Sequence, residues 1–274
     1  MTVGEAIRAA AERLAATSDT ARLDAEWLMA HALGVTRSQM LLQAMRDAAP
    51  PGFAALVERR AAHEPVAYIT GTAEFYGLTL AVTPAVLIPR GDSETLITAA
   101  LEHGPRQARV LDLGTGSGAL LIAVLAQHPA WHGVGLDASR DALAVAAGNA
   151  AALGLADRSG WLVRNWHADD WTRGLGTFDL ILANPPYVEA DAALDPQVRD
   201  WEPHAALFAG PDGLDDYRAL IPQLAALMNV GGCAIIEIGA AQAEAVAAIA
   251  EAAGFISTLR RDLAGRARAL VLRA

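Results

Sequence analysis

Residues 110–119 read VLDLGTGSGA, and no other stretch limits the fold as much. Val110 to Leu113 is an apolar run of strand length, Ala119 opens a helix-forming run, and glycines stand between them at 114, 116 and 118. Three glycines at every second position let the backbone turn tightly and approach a ligand without side-chain obstruction. The segment therefore predicts a buried strand, a ligand-facing turn and a helix. Asp137 follows nineteen residues after Gly118, at the end of the next apolar run (137 − 118 = 19). A carboxylate at that place is positioned to accept hydrogen bonds from a pair of ribose hydroxyls. From these residues alone two cofactors remain open. Gly114-Thr-Gly116-Ser-Gly118-Ala119 also fits the G-x-G-x-x-A form of a dinucleotide fingerprint.

The alternation continues on both sides of the loop. Strands are predicted at 109–113, 133–137, 161–165, 178–183, 234–238 and 269–272, and helices at 119–127, 141–153, 217–228 and 241–253. Such alternation is expected of a mostly parallel α/β sheet with ligands at the carboxyl ends of its strands. Before it, the chain has a different texture. Residues 1–63 carry apolar positions at helical spacing, with Asp19-Thr20 as a cap and Gly34 as a stop, and predict a small helical bundle. Residues 64–91, rich in β-branched and aromatic residues with Gly71 and Gly77, read as a β-hairpin linker. The remaining residues, 92–274, are expected to form the α/β domain.

Composition removes several chemistries. All 21 Lys+Arg residues are arginine. Lysine Schiff bases and the Walker phosphate loop are excluded with the lysine. A formal charge of −10 argues against gripping a nucleic-acid backbone, and no basic run is present. The densest pairs, Arg59-Arg60 and Arg260-Arg261, read as solvated ends of elements. The single cysteine, Cys233, lies among apolar residues and is expected to be a packed thiol. The seven histidines show no metal-ligand spacing, so no metal is expected. No apolar run reaches the roughly 18–20 residues of a membrane span, and a cytoplasmic chain without a membrane partner is expected.

A second motif narrows the function. Behind the apolar run Phe178–Ala183 stands Asn184-Pro185-Pro186-Tyr187. Two prolines fix φ and remove two backbone donors, so the loop is stiff. Its place at the end of a strand puts it beside the glycine loop. An amide or aromatic NH2 is a poor nucleophile because its lone pair is delocalised. Accepting its N–H bonds at the Asn184 side chain and the Pro185 carbonyl would hold it with the lone pair turned toward a methyl donor, so most of the catalysis would be positioning. Tyr187 offers an aromatic face or edge to a flat substrate. A dehydrogenase would leave this loop unexplained, and so would a non-catalytic binding module.

Together with RLDAEWLMAHAL (22–33), EPVAYITGTAEFYGL (64–78), VLIPRGDSE (86–94), WEPHAAL (201–207), GPDGLDDYR (210–218), EIG (237–239) and DLAGRARAL (262–270), these motifs make the chain resemble the HemK/PrmC family of protein glutamine methyltransferases. The resemblance implies a class I S-adenosylmethionine-dependent methyltransferase with a Rossmann-like seven-stranded sheet, preceded by a helical docking domain. It implies transfer of methyl from S-adenosyl-L-methionine to the glutamine of the Gly-Gly-Gln motif in peptide chain release factors. Gly114, Thr115, Gly116, Ser117, Gly118 and Asp137 would hold the cofactor, with Asn184 next to it, and Asn184, Pro185, Pro186 and Tyr187 would receive the glutamine. The family's Asp-Trp pair, with Trp near the adenine, falls on Asn165-Trp166, with Asp170-Trp171 as a competing match. The usual Pro-Arg-Pro is Pro89-Arg90-Gly91 here, which loosens that turn. Glu202 and His204 either line the glutamine pocket or pack. Two alternatives stay within the same loop chemistry: methylation of a large-subunit ribosomal protein, or of adenine amino groups in DNA or RNA.

Overall fold

The computed structural model describes all residues, 1–274. The chain divides into two compact units, Met1–Thr72 with Leu194–Trp201, and Ala73–Ala193 with Glu202–Ala274.

The first unit is helical. It holds α1 (Val3–Leu14), α2 (Ala21–Leu33), the single turn α3 (Arg37–Gln39) running into a wider turn at Met40–Ala44, α4 (Phe53–Ala61) and α5 (Val66–Thr70). Thr2 and Glu5 form a reciprocal capping box that starts α1. Val3, Ile7 and Leu14 then meet Leu28, Met29, Met40, Phe53 and Val57 in one core. Gly34, at φ 67°, ends α2 in the left-handed conformation that glycine adopts most readily. Two expectations change here. Arg60 is not a solvated helix end: it is 4 % exposed and its Nε donates to Asp24 at 2.7 Å. Thr20 occupies the cap position of α2, but its hydroxyl donates to Asp24 at 2.9 Å instead of capping a backbone N–H. The linker stretch is also more helical than its β-branched residues predict, because Pro65 starts α5 and Gly71, at φ 77°, stops it.

The hairpin β1 (Thr72–Phe75) and β2 (Leu78–Ala81) begins at the last residue of the first unit's main segment and is followed in the second unit by α6 (Glu94–His103). The sheet strands and their crossovers then alternate: β3 (Arg109–Leu113), α7 (Ala119–Gln127), β4 (His132–Asp137), α8 (Arg140–Ala152), β5 (Ser159–Val163) and β6 (Phe178–Ala183). The turn α9 (Pro196–Arg199) lies in the segment that belongs to the first unit. After it come α10 (Asp215–Leu224), β7 (Met228–Glu237), α11 (Ala243–Ala252), β8 (Ile256–Arg261) and β9 (Ala267–Arg273). The seven strands stand in the order β5-β4-β3-β6-β7-β9-β8. All neighbours from β5 to β7 run parallel, and β9 is antiparallel to β7 and to β8. This is the expected α/β sheet.

Both faces of the sheet are covered, so its central strands are apolar on alternate sides. Val110 of β3 joins a core with Leu96 and Ile97 of α6 and Leu121 to Leu125 of α7. Leu111 and Leu113 face the opposite core, with Tyr217, Leu220 and Leu224 of α10 and Val246 of α11. Cys233 packs in the first of these cores, and burial pushes its thiol pKa up. The chain runs outward from β3 through β4 to β5, then returns to lay β6 on the other side of β3. That reversal opens a crevice at the carboxyl ends of β3 and β6, where open α/β sheets take their ligands.

Candidate active site

The crevice contains a cavity of about 420 Å³ within the second unit, a size suited to a small-molecule ligand. Its floor is the glycine loop. Gly114, Gly116 and Gly118 all have positive φ, at 71°, 54° and 81°. A side chain at Gly114 would also stand 3.0 Å from the Trp166 ring, whereas nothing lies within 4 Å of the same position on Gly116. The loop is anchored to the next strand: the amides of Gly114 and Thr115 both donate to the Leu136 carbonyl at 2.9 Å. Asn149 on α8 holds it from behind. Its Nδ2 donates to the carbonyls of Ser117 and Ala81, at 2.9 and 3.0 Å, while its Oδ1 accepts the Ala81 amide at 2.7 Å.

Two carboxylates frame this floor, with different duties. Asp137 at the end of β4 accepts the Gly116 amide at 2.9 Å and the Ser139 amide at 2.8 Å, one on each oxygen. A carboxylate has about four acceptor sites, so capacity remains for donors in the cavity. Asp112 is fully buried beneath the loop. It accepts the Thr115 hydroxyl at 2.5 Å, and its Oδ1 has no partner. Burial pushes its pKa up to about 7, against the pull of the Thr115 hydroxyl and with help from the Asp137 charge.

At the end of β6, Asn184 and Pro186 line the cavity. Asn184 Nδ2 donates to Ser93 Oγ at 3.5 Å, which turns the side-chain oxygen the other way. Behind Ser93 lies Glu237, 1 % exposed, at the end of β7. Burial raises its pKa to about 7, while the Ser93 hydroxyl, the Arg268 charge and the Tyr187 hydroxyl favour its ionised form. Tyr187 packs against the second sheet core, and its pKa is pushed up to about 12, first by burial and then by the Glu237 charge. Its carbonyl accepts Gln242 Nε2 at 3.0 Å, which ties the Pro-Pro loop to the segment leading into α11.

The sequence-derived residues divide as follows. Gly114, Thr115, Gly116, Ser117, Asp137, Trp166, Asn184 and Pro186 share the cavity wall; Gly118, Pro185 and Tyr187 stand behind it. Gly118 is the N-cap of α7, with Ile122, Ala146 and Trp161 packed around it. Of the two tryptophans, Trp166 lines the cavity, and Trp171 is 2 % exposed in the core with its indole N–H on Gln223. Arg90 is on the wall, paired with buried Glu202, which also accepts the Ile88 amide at 3.1 Å. His204 stacks edge-on against Phe208. Asp262 and Arg266 pair with each other at 2.9 Å and, with Asp92 and Arg268, form an ion-pair group at the β8–β9 turn. Sequence reasoning missed Ser93, Asn149, His167 and Asp216, whose partners are distant along the chain. The only signal was for Ser93 and Asp216, which fall in the family-like stretches 86–94 and 210–218; Asn149 and His167 lie in none of them. No group of three or more His, Cys, Asp or Glu residues is arranged to hold a metal ion.

Comparison with known proteins decides the family. Residues 5–71 match the model of the PrmC N-terminal domain, and residues 91–200 that of the methyltransferase small domain. A release factor glutamine methyltransferase of Cereibacter sphaeroides is 47 % identical over 98 % of this chain and 97 % of its own length. The chain belongs to the release factor glutamine methyltransferase family. A second member, from Bradyrhizobium diazoefficiens, is 42 % identical over 98 % of this chain and 95 % of its own. A methyltransferase of Pyrococcus furiosus shares the fold with a TM-score of 0.52, at 16 % identity over 72 % of this chain and 88 % of that one.

Proposed function

We propose that this chain methylates the side-chain amide nitrogen of the glutamine in the Gly-Gly-Gln motif of peptide chain release factors, with S-adenosyl-L-methionine as methyl donor. The observation that carries the reading is the position of Asn184 on one wall of a cavity whose floor is the glycine loop and Asp137. The residues fit the cofactor: an open backbone at Gly116, acceptor capacity on Asp137 and an aromatic wall at Trp166 suit a nucleoside with a flexible amino-acid tail. When bound, S-adenosyl-L-methionine supplies an electrophilic methyl group on a sulfonium.

The protein's own part is to hold the glutamine amide. With its Nδ2 bound to Ser93, Asn184 presents Oδ1 as an acceptor for one amide N–H. The Pro185 carbonyl would take the other, because the proline rings fix the direction of that loop. Held at both hydrogens, the nitrogen keeps its lone pair pointed at the reacting carbon, and the product loses its extra proton to solvent without a dedicated base. Orientation of this kind supplies most of the rate. The expected outcome with labelled cofactor is label in a release factor and none in its Gln→Glu variant at the motif. Label entering ribosomal protein, RNA or DNA instead would overturn the proposal.

A further inference from the structure

Asp216 stands in the first turn of α10, 6 % exposed and on the cavity wall. Two donors converge on a single one of its oxygens. Trp166 Nε1 donates to Oδ1 at 2.7 Å, and His167 Nε2 lies 2.9 Å from the same atom. Both of these bonds are on Oδ1, and neither engages Oδ2. Asn165, the neighbouring polar residue on that wall, is a neutral amide whose Oδ1 accepts the His167 amide at 2.9 Å and keeps one acceptor site, so it offers a weaker acceptor than a carboxylate. The Trp166 ring is held by the Asp216 bond and occupies the space that a side chain at Gly114 would need.

We propose that Asp216 is the base-recognition residue of this cavity, fixing the Trp166 indole with Oδ1 and accepting the exocyclic amine of an adenine ring with Oδ2. The proposal rests on the reading of the cavity as a cofactor site. Its chemistry follows from what each base displays. Adenine carries an N–H2 donor where hypoxanthine carries a carbonyl acceptor. A carboxylate oxygen on the cavity wall rewards the first and repels the second, and a hydrogen bond to a charged group corresponds to roughly a ten-fold or greater preference.

The orientation of an amide at this position is also set in advance. In Asp216→Asn the Trp166 and His167 donors would keep the side-chain oxygen, so Nδ2 would face the cavity as a donor. The preference should then shrink or invert. The experiment titrates S-adenosylhomocysteine and S-inosylhomocysteine calorimetrically against the wild-type chain and Asp216→Asn. The expected result is at least about ten-fold tighter binding of the adenosyl compound by the wild type and a ratio near or below one for the variant. An adenosyl preference unchanged in a folded Asp216→Asn overturns the inference and leaves the cofactor reading standing. If the variant does not fold, the wild type alone decides: equal affinities overturn the inference, and a ten-fold preference supports it. Failure of the wild type to bind either compound removes the cofactor reading and the inference together.

Discussion

Asn184 and Asp112 show how differently single residues serve one crevice. In the proposed reaction Asn184 holds the substrate amide, so Asn184→Ala should leave cofactor affinity within about three-fold while turnover falls. Leaving a buried N–H2 unpaired costs about 1–3 kcal/mol, or about 5- to 150-fold in rate before misorientation is counted. Single-turnover rates and calorimetric titration separate the two, and lost affinity with unchanged turnover would contradict the assigned role. Asp112 acts on stability. Its ordinary pKa of 3.8 rises to about 7 on folding, and that of Glu237 rises from 4.5 to about 7. Between about pH 4 and pH 7 the folded chain keeps protons that the unfolded chain has released. The contribution of these two groups is complete below that window and is lost as the pH climbs through it. Asp112→Asn, which cannot ionise, should therefore gain on the wild type as pH rises from 4.5 to 7.5 in urea unfolding. Parallel curves would show that Asp112 is not neutral in the folded protein.

At the scale of elements, the loop between β3 and α7 has two kinds of glycine. Gly116 has positive φ but open space around it, so Gly116→Ala should cost only the left-handed conformation, about 1–2 kcal/mol. Gly118 has positive φ and a would-be side chain 2.8 Å from Ile122 and 3.1 Å from Ala146. Gly118→Ala should cost about 1–3 kcal/mol more, because overpacking adds to the strain. Urea unfolding of both variants checks the order, and equal losses would mean that α7 shifts to make room. The same loop shows what was legible in the sequence. Its strand, turn and helix are encoded within ten consecutive residues, and so is the Asn-Pro-Pro-Tyr turn behind β6. The partners of those motifs were not legible, since Ser93 reaches Asn184 and Asp216 reaches Trp166 only through the order of strands in the sheet. Arg60 misled for the same reason: Asp24, which neutralises it, lies 36 residues away. β8 escaped notice because Ile256–Arg261 is an edge strand, half exposed and without a clear apolar alternation.

For the molecule as a whole, the charge carries a prediction of its own. The chain holds 31 acidic residues against 21 arginines, and many of those arginines are already committed. Arg22 and Arg37 both serve Glu26, Arg60 serves Asp24, Arg90 serves Glu202, and Arg266 and Arg268 share Asp92 and Asp262. Each such pair removes one charge of either sign, so the acidic excess survives the pairing and the long-range field is that of a −10 body. A basic surface around the glutamine loop of a release factor would be steered toward such a body, and charge steering acts on the association rate more than on the final affinity. The screening length shortens from about 10 Å at 0.1 M salt to about 3 Å at 1 M, so the association rate should fall steeply across that range while dissociation changes little. Stopped-flow mixing of the chain with a release factor at several salt concentrations measures both. An association rate independent of salt would reduce the acidic excess to a determinant of solubility. A rise confined to the dissociation rate would place the charges in the finished interface, not in the approach to it.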